Sequence, residues 1–269
     1  MAYKLIALDI DGTIRSNGRA VSQRTRQAVA RAMRAGAVVT LVTGRMFRSA
    51  LPSTEELNIT SPIATFQGAH VADPATGRVL WHMPLEPHMA EAALDALASC
   101  GLEVLAHHGD EVYVSRLTEW VQAYGPRNRV KVNLVGDLME LTLNELTRLV
   151  VVGDEGEIER LERDLKARFD GSLYVTRSLP HFCEILHPDG GKDKALAWLC
   201  GHLGVRQDET VSFGNGYNDV ELLEWAGLGV AIGGAVPQVL DVADRVAPPV
   251  EEDGAAQVLE ELLDLGLIG

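Results

Sequence analysis

The sequence lacks the features that mark secreted and membrane-spanning proteins. Its 269 residues include three cysteines, which form neither a CxxC pair nor an even disulfide framework. We therefore expect free thiols in a reducing compartment at Cys100, Cys183 and Cys200. No apolar run approaches the roughly 20 residues that a membrane span requires, and the first residues already resemble a strand rather than a signal peptide. A cytoplasmic protein without a membrane partner is expected.

Positive charge is also scarce. The chain has 24 Lys and Arg residues against 38 Asp and Glu residues, which gives a formal net charge of −14, and no basic cluster offsets it. An acidic surface of this kind repels phosphate backbones, so a nucleic-acid partner is not expected. Hydrophobic residues make up 46% and charged residues 23%, which is typical of a globular chain with one large domain or two modest ones.

A short apolar strand that ends in two acids organises the rest of the chain. The stretch from Leu5 to Thr13 reads LIALDIDGT, which is typical of a buried strand of a parallel sheet that runs into a polar tip. Alternate residues of a strand share a face, so Asp9 and Asp11 are expected to lie close together. Two carboxylates that close repel each other, and a divalent metal is the expected relief.

The next segment predicts a βαβ unit. A helix is expected at about 23–35 and a buried strand at 37–42, which ends at Thr43-Gly44-Arg45. The two strands of such a unit are parallel, so Asp9 and Thr43 should lie at the same edge of the sheet, where open α/β sheets bind their ligands. The pattern continues with a helix at 46–57, a strand at 62–66 and a hairpin over 71–83.

The pattern changes near Pro84-Leu85-Glu86-Pro87, which is typical of a hinge. We predict a separate α+β lid at 85–186 and a discontinuous core formed by 1–84 and 187–269. Within the lid, helices are expected at 88–99, 117–124 and 155–168, and strands at 102–107, 111–115, 148–152, 173–177 and 182–186. Three of its histidines show no paired ligand spacing, so we interpret them as packing or solvated residues rather than as substrate contacts: His107, His108 and His181.

The first pattern returns after Gly190-Gly191-Lys192. A helix is predicted at 193–202, and a buried strand at 210–213 ends in the loop Gly214-Asn215-Gly216-Tyr217-Asn218-Asp219. The remaining elements are helices at 220–226, 236–243 and 255–265, a strand at 229–232 and an edge strand near 245–246. The whole is expected to be an α/β fold with a parallel-sheet core.

Four polar groups therefore meet at one edge of the predicted sheet. They are Asp9 with Asp11, Thr43 with Gly44, Lys192 and the loop 214–219. Oxygen ligands point to Mg²⁺ rather than Zn²⁺. Mg²⁺, an ammonium group and backbone N–H donors are the equipment of phosphoryl transfer, which depends on positioning and charge neutralisation.

The two acids can divide the chemistry between them. One carboxylate can attack phosphorus and form an aspartyl phosphate, which splits hydrolysis into two easier displacements. The other can protonate the leaving oxygen and then deprotonate the attacking water. This second role predicts that burial and the charge of Asp9 raise the pKa of Asp11.

At this point the sequence resembles a known family, the haloacid dehalogenase superfamily. Asp9-Ile10-Asp11-Gly12-Thr13 resembles its motif I, Thr43-Gly44-Arg45 its motif II, Lys192 its motif III and the loop 214–219 its motif IV. The long insertion and the return through Phe182-Cys183-Glu184-Ile185 resemble the Cof-type (class IIB) sugar-phosphatase branch. The resemblance spans nearly the whole chain. It implies a Rossmann-like core with an inserted α+β cap domain of the C2B type.

The resemblance also assigns roles. It makes Asp9 the nucleophile and a Mg²⁺ ligand, and Asp11 the general acid/base, which binds the metal through its backbone carbonyl. Asn215 becomes the third protein ligand of the metal, and Asp219 a partner that reaches it through water. The phosphate would be held by the N–H of Ile10, by Thr43 with Gly44, and by Lys192 and Asn218.

Two positions depart from the family pattern. Asn215 stands where the family usually has Asp, so the metal site loses one negative charge. Gln67 stands where the family often has Asn. Neither change removes the nucleophile.

The sequence thus predicts a Mg²⁺-dependent phosphatase for small phosphate monoesters, with a sugar phosphate as the expected substrate. Three alternatives remain open: a phosphomutase of the same family, a regulatory phospho-acceptor of the receiver type, and a phosphate-ester-binding protein without turnover. Its expected partner is a small phosphorylated metabolite, and the chain would act as a monomer or homodimer.

Overall fold

The structure is a computed structural model that describes residues 2–16 and 18–269. Its strands are, in chain order, β1 (Leu5–Leu8), β2 (Val38–Leu41), β3 (Ile63–Thr65), β4 (His70–Ala72), β5 (Val79–His82), β6 (Glu103–His108), β7 (Glu111–Val114), β8 (Lys131–Leu134), β9 (Arg148–Val152), β10 (Tyr174–Leu179), β11 (Phe182–Leu186), β12 (Thr210–Gly214), β13 (Leu228–Gly233) and β14 (Arg245–Pro249). The helices are α1 (Gln23–Arg34), α2 (Phe47–Leu57), α3 (Pro87–Leu97), α4 (Glu119–Asn128), α5 (Glu155–Phe169), α6 (Lys192–Leu203), α7 (Val220–Trp225), α8 (Pro237–Val242) and α9 (Gly254–Asp264).

The parallel sheet has the order β14-β13-β12-β1-β2. Each neighbouring pair is parallel, as the βαβ pattern predicts. Because β1 lies between β2 and β12, the residues that follow these three strands meet at one edge of the sheet. The predicted convergence of the polar strand ends therefore has its structural basis in this strand order.

Helices cover both faces of this sheet, which explains the apolar character of β1. All four of its residues have no exposed surface. Ile6 and Leu8 pack in the cluster that contains residues of α1 and α9, whereas Leu5 and Ala7 pack in the cluster that contains residues of α6 and α7. A strand that is buried on both faces needs apolar residues at every position.

The second sheet, in the order β10-β11-β9-β6-β7-β8, is built from the segment 103–186. Its neighbours are antiparallel except for β7 and β8, which are parallel. One face packs against α3 and α5. The other face joins the cluster of the parallel-sheet core through side chains such as Leu105 and Val150. Segment 85–186 remains the predicted cap domain, and its boundaries stay a prediction.

The sequence analysis missed one strand of this sheet and shortened one helix. β8 is a short edge strand whose end residues, Lys131 and Leu134, are exposed, so its sequence KVNL carries no apolar run that would mark it. The helix predicted to end at Tyr124 continues to Asn128 and includes Pro126. Local patterns mark neither feature.

A small antiparallel sheet, β3-β4-β5, extends the parallel core. Ala64 in β3 forms a parallel bridge to Val42. The strand predicted to run to Phe66 ends at Thr65, because Phe66 and Gln67 have left-handed backbone conformations with φ of 51° and 57°. This turn directs the chain toward the end of β2.

The described residues contain no helix that is long and apolar enough to cross a membrane. The three cysteines of the described chain are free, as expected for Cys100, Cys183 and Cys200. The cytoplasmic location stays a prediction.

Gly68→Ala should destabilise the protein strongly, because a Cβ there would lie 2.1 Å from the carbonyl oxygen of Gly191, and φ is +94°. Gly101→Ala is the matched control, since its φ is +72° but nothing lies within 4 Å of the added Cβ. At position 101 we expect the free energy of unfolding to fall by about 1–2 kcal/mol, from the left-handed conformation alone. At position 68 we expect a larger loss of stability, and therefore a larger fall in Tm. Equal losses of Tm in thermal unfolding would contradict the predicted backbone clash.

Candidate active site

The site is formed where β1, β2 and β12 end. The N–H of Asp9 donates to the carbonyl oxygen of Phe213 at 3.1 Å, so the ladder between β1 and β12 continues to this residue. The chain then turns, because the carbonyl oxygen of Ile10 accepts hydrogen bonds from the three backbone N–H groups of residues 13–15. Gly12 is required twice in this turn: its φ is +82°, and an added Cβ would lie 2.3 Å from Nδ2 of Asn215.

A buried lysine lies between two carboxylates at the centre of the site. Nζ of Lys192, the first residue of α6, is 2.7 Å from Oδ1 of Asp9 and 2.6 Å from Oδ1 of Asp219. The side chains of these three residues are at most 8% exposed. The other carboxylate oxygen of Asp219 accepts from the N–H groups of Asn215 and Gly216, each at 2.9 Å. Asp219 thus holds both the ammonium group and the loop after β12.

Burial and charge act in opposite directions on this cluster. Burial raises the pKa of Asp9 to about 7, against the lowering effect of Lys192, and Asp219 and Asp11 push it further upward. Burial alone would lower the pKa of Lys192, but the two carboxylates that it contacts hold this pKa well above its ordinary range. The ammonium group is therefore charged at neutral pH, whereas Asp9 is close to its titration point.

Two oxygen atoms converge on the hydroxyl group of Thr13. Its Oγ1 is 3.2 Å from Oδ2 of Asp9 and 2.9 Å from Oδ1 of Asn215. A hydroxyl group has one hydrogen and can satisfy only one of these acceptors at a time. The carboxylate oxygen of Asp9 and the amide oxygen of Asn215, on either side of one hydroxyl group, are the kind of hard donor that a small divalent cation such as Mg²⁺ prefers.

The donor set of this site differs from a purely acidic one. The described residues contain no group of three or more His, Cys, Asp or Glu side chains placed to hold a metal ion. The oxygen set predicted from the sequence depends instead on the amide of Asn215 and on a backbone carbonyl. Both carboxylate oxygens of Asp219 already accept hydrogen bonds, so its link to the metal through water stays a prediction.

Asp11 lies outside this buried cluster. Its side chain is 45% exposed and accepts two hydrogen bonds from Arg45, Nε to Oδ2 at 2.7 Å and Nη2 to Oδ1 at 2.6 Å. The expected burial of Asp11 is wrong, because the chain leaves the strand after Asp9 and forms an isolated bridge between Asp11 and Arg15. Alternation along a strand does not extend through such a turn.

Gln67 connects the remaining predicted phosphate ligands. Its backbone N–H donates to the carbonyl oxygen of Thr43 at 3.1 Å, and its Oε1 accepts from Nδ2 of Asn218 at 2.7 Å. A Cβ at Gly44 would lie 2.3 Å from Nε2 of Gln67, so Gly44 leaves the space that this side chain crosses. Thr43, Gly44 and Asn218 are thereby brought together around one fully buried amide.

The sequence analysis did not assign roles to two charged residues that reach this region from the second sheet. Nη1 of Arg148 donates to Oε2 of Glu184 at 2.5 Å and to the carbonyl oxygen of Gly44 at 2.6 Å. Oε1 of Glu184 accepts from Nε2 of Gln67 at 2.7 Å. The available signal was a charged residue within an otherwise apolar strand, as in Phe-Cys-Glu-Ile-Leu, since buried charges require partners.

His107 packs beside this group. It has no exposed surface, and neither ring nitrogen has a hydrogen-bond partner among the described residues. Burial, together with the charge of Arg148, lowers the pKa of His107 well below its ordinary value. His107 is a neutral packing residue, whereas His108 and His181 are exposed.

The fold is that of a haloacid dehalogenase-like hydrolase. The model of that family matches residues 6–259, so the chain belongs to it. The chain is 27% identical to a haloacid dehalogenase-like hydrolase from Bacteroides thetaiotaomicron, with a TM-score of 0.81 over 97% of this chain and 99% of that one. A subclass IIB sugar phosphatase of 24% identity has the same fold, with a TM-score of 0.83 and coverage of 98% and 100%. The predicted Rossmann-like core with an inserted α+β cap is confirmed.

Relatives of known class agree with this assignment. The chain is 31% identical to the 5-amino-6-(5-phospho-D-ribitylamino)uracil phosphatase YitU of Bacillus subtilis, over 97% of this chain and 98% of that one. It is 27% identical to the HMP-PP phosphatase of Cronobacter sakazakii, over 88% and 86%. The prediction of a phosphoric monoester hydrolase of the Cof-type branch is confirmed.

Asp9→Asn should stabilise the metal-free protein at pH 8. The folded-state pKa of Asp9, about 7, lies above its ordinary value of 3.8, so its ionisation lowers the stability of the fold in full above pH 7, and this penalty shrinks as the pH falls from 7 to 3.8. We expect a Tm gain of a few degrees at pH 8, where about 1 kcal/mol corresponds to roughly 2–4 °C, and a gain about half as large at pH 5.5. Thermal unfolding in a chelator at both pH values measures this, and a gain that grows toward low pH would contradict it.

Proposed function

We propose that this protein is a Mg²⁺-dependent phosphatase that hydrolyses small phosphate monoesters through an aspartyl phosphate formed on Asp9. The observation that carries the proposal is the buried Lys192 between Asp9 and Asp219, beside the oxygen atoms of Asp9 and Asn215 that converge on Thr13. A carboxylate, an ammonium group and hard oxygen donors at the ends of parallel strands supply a nucleophile and the means to neutralise a phosphate.

The phosphate would be held by the groups around this carboxylate. Lys192 supplies a positive charge, and the hydroxyl of Thr43 and the amide of Asn218 supply hydrogen-bond donors. The backbone N–H groups of Ile10 and Gly44 complete the proposed set. Phosphoryl transfer needs little beyond such positioning and charge stabilisation.

The reaction would proceed in two displacements. A carboxylate oxygen of Asp9 attacks phosphorus, the bond to the ester oxygen breaks, and Asp11 gives that oxygen a proton. Asp11 then removes a proton from a water molecule, which attacks phosphorus and releases inorganic phosphate and free Asp9. Arg45 donates one hydrogen bond to each oxygen of Asp11, and each oxygen keeps a second lone pair for the proton that Asp11 transfers.

Asp9, Asn215 and the backbone carbonyl of Asp11 would hold Mg²⁺, with Asp219 linked to it through water. A bound ion at this position would neutralise charge on the transferred phosphoryl group. The amide at position 215 supplies an oxygen without a charge, so we expect a weaker metal site than one with a third carboxylate.

The relatives and the predicted cap support a proposal for the substrate class. YitU acts on a phosphorylated ribitylamino-uracil, as its name states, and a structural neighbour is named a sugar phosphatase. We propose a sugar or polyol phosphate, with specificity set by the cap domain at 85–186 over a core formed by 1–84 and 187–269. The partner is then a small phosphorylated metabolite, and the chain acts as a monomer or homodimer.

Asp9→Asn should reduce the turnover of an aryl phosphate at least about 10³-fold, because an amide side chain cannot form the acyl phosphate. The assay measures release of inorganic phosphate, and transfer of the phosphate to a sugar would instead indicate a phosphomutase. Asp264→Asn is the control, since this aspartate is 72% exposed and far along the chain in α9. Retained turnover in a folded Asp9→Asn protein would refute the covalent mechanism.

Chelation should remove the activity, and Mg²⁺ should restore it. Asn215→Asp adds a carboxylate of the same shape, so half-maximal activity should require about tenfold less Mg²⁺, and Asn215→Leu should require much more. A Mg²⁺ titration of turnover in the three proteins measures this. Activity that persists in excess chelator, or an unchanged titration in Asn215→Asp, would contradict the assigned ligand set.

A further inference from the structure

Four buried side chains form a continuous hydrogen-bonded chain from the second sheet to the loop after β12. Arg148 donates to Glu184 at 2.5 Å, Gln67 donates to Glu184 at 2.7 Å, and Asn218 donates to Gln67 at 2.7 Å. Each of the four residues is at most 6% exposed. Glu184 and Gln67 are 117 positions apart in the sequence, so this chain exists only in the folded protein.

The hydrogen bonds of this side-chain network can run in only one direction from donor to acceptor. A carboxylate paired with a guanidinium group accepts hydrogen bonds and donates none. Gln67 must therefore turn its NH₂ group toward Glu184 and its carbonyl oxygen toward Asn218. Asn218 in turn must present its NH₂ group to Gln67. A reversed amide would place two donors or two acceptors against each other in a buried site, which is costly.

The second hydrogen of the Asn218 NH₂ group remains available for a ligand, since Gln67 accepts only one. The carbonyl oxygen of this amide lies on the side of Gly216, where an added Cβ would be 2.7 Å from it. An amide held in this orientation donates to a phosphate oxygen, whereas a reversed amide would present its own oxygen to that anion. The orientation of Asn218 thus decides whether it attracts or repels phosphate.

We propose that Glu184, acting through Gln67, is a positioning residue that fixes the amide of Asn218 with its NH₂ group available to the bound phosphate. This inference rests on the proposed function, in which Asn218 binds the phosphate. It assigns a task to a carboxylate of the second sheet that lies outside the four sequence motifs.

The surrounding backbone is shaped for this connection. Phe66 and Gln67 have φ values of 51° and 57°, a left-handed conformation that is unfavourable for non-glycine residues. Gly44 leaves room for the Gln67 amide, and Arg148 also donates to the carbonyl oxygen of Gly44 at 2.6 Å. The second sheet therefore contacts the loop after β2 through Arg148 and reaches the side chain of Asn218 through Gln67.

A charge-conserving exchange tests the proposal. Gln67→Glu alone places two carboxylates against each other. Glu184→Gln alone replaces a carboxylate, which can only accept, with an amide that can present either its oxygen or its NH₂ group to Gln67. In the double variant, the new carboxylate at position 67 accepts from Asn218, and the new amide at position 184 donates to it and accepts from Arg148. We expect each single variant to bind inorganic phosphate at least tenfold more weakly by calorimetry with Mg²⁺, and the double variant to return to within about threefold of wild type.

Two controls test whether a loss of phosphate affinity comes from a misoriented Asn218 or from a general weakening of the contacts between the second sheet and the rest of the protein. Thr147→Val removes the hydrogen bond between Thr147 and His82, another link between the second sheet and the small one, and should leave phosphate affinity within about threefold. In an Asn218→Ala background, Gln67→Glu should weaken phosphate binding by less than about twofold, because the residue through which it acts is absent. A full tenfold loss in that background, or no recovery in the double variant, overturns the proposal.

Turnover measured on the same proteins distinguishes this inference from the proposed function. If wild type hydrolyses the ester but the double variant does not recover phosphate affinity, the positioning role fails and the phosphatase assignment stands. If no protein hydrolyses the ester but phosphate affinity follows the expected pattern, the phosphatase assignment fails and the positioning role stands.

Discussion

The pairing of the buried Lys192 ammonium with Asp9 and Asp219 is the interaction on which the rest of the site depends. It joins the end of β1, the first residue of α6 and the loop after β12 at distances of 2.6 and 2.7 Å. A buried charge is tolerated only with partners, and Lys192 has two of them. The same three groups that hold the elements together also form the proposed site of phosphate chemistry.

This arrangement leaves an imbalance that a ligand can correct. Burial keeps Asp9 near its titration point despite the adjacent ammonium group, and two oxygen atoms share one hydroxyl donor at Thr13. A cation would relieve both conditions. Functional sites commonly retain such unfavourable features, at a cost in stability, and Asn215 in place of a third acid reduces the repulsion that remains.

The parallel-sheet core and the polar ends of its strands could be predicted because local patterns encode them. Apolar runs at 5–8 and 210–213, helical spacing in 23–35 and polar residues at the strand ends follow from sequence periods alone. Asp11 was misjudged because a turn separates it from β1. β8 was missed because an exposed edge strand has no apolar run. The hydrogen-bonded network that links Arg148 to Asn218 was missed because its partners, such as Glu184 and Gln67, are far apart in the sequence and produce no periodic pattern.

The polarity of that chain adds a constraint that motifs do not contain. An amide has two ends of similar size, so shape does not determine which end faces a ligand, and only its hydrogen-bond partners do. Asn218 is oriented by Gln67, which is another amide with the same ambiguity. The orientation of both amides is fixed only by a neighbour that cannot change from acceptor to donor. That neighbour is the carboxylate of Glu184, because its ion pair with Arg148 keeps it a hydrogen-bond acceptor. A residue of the second sheet is therefore needed to define the donor geometry of a loop in the first.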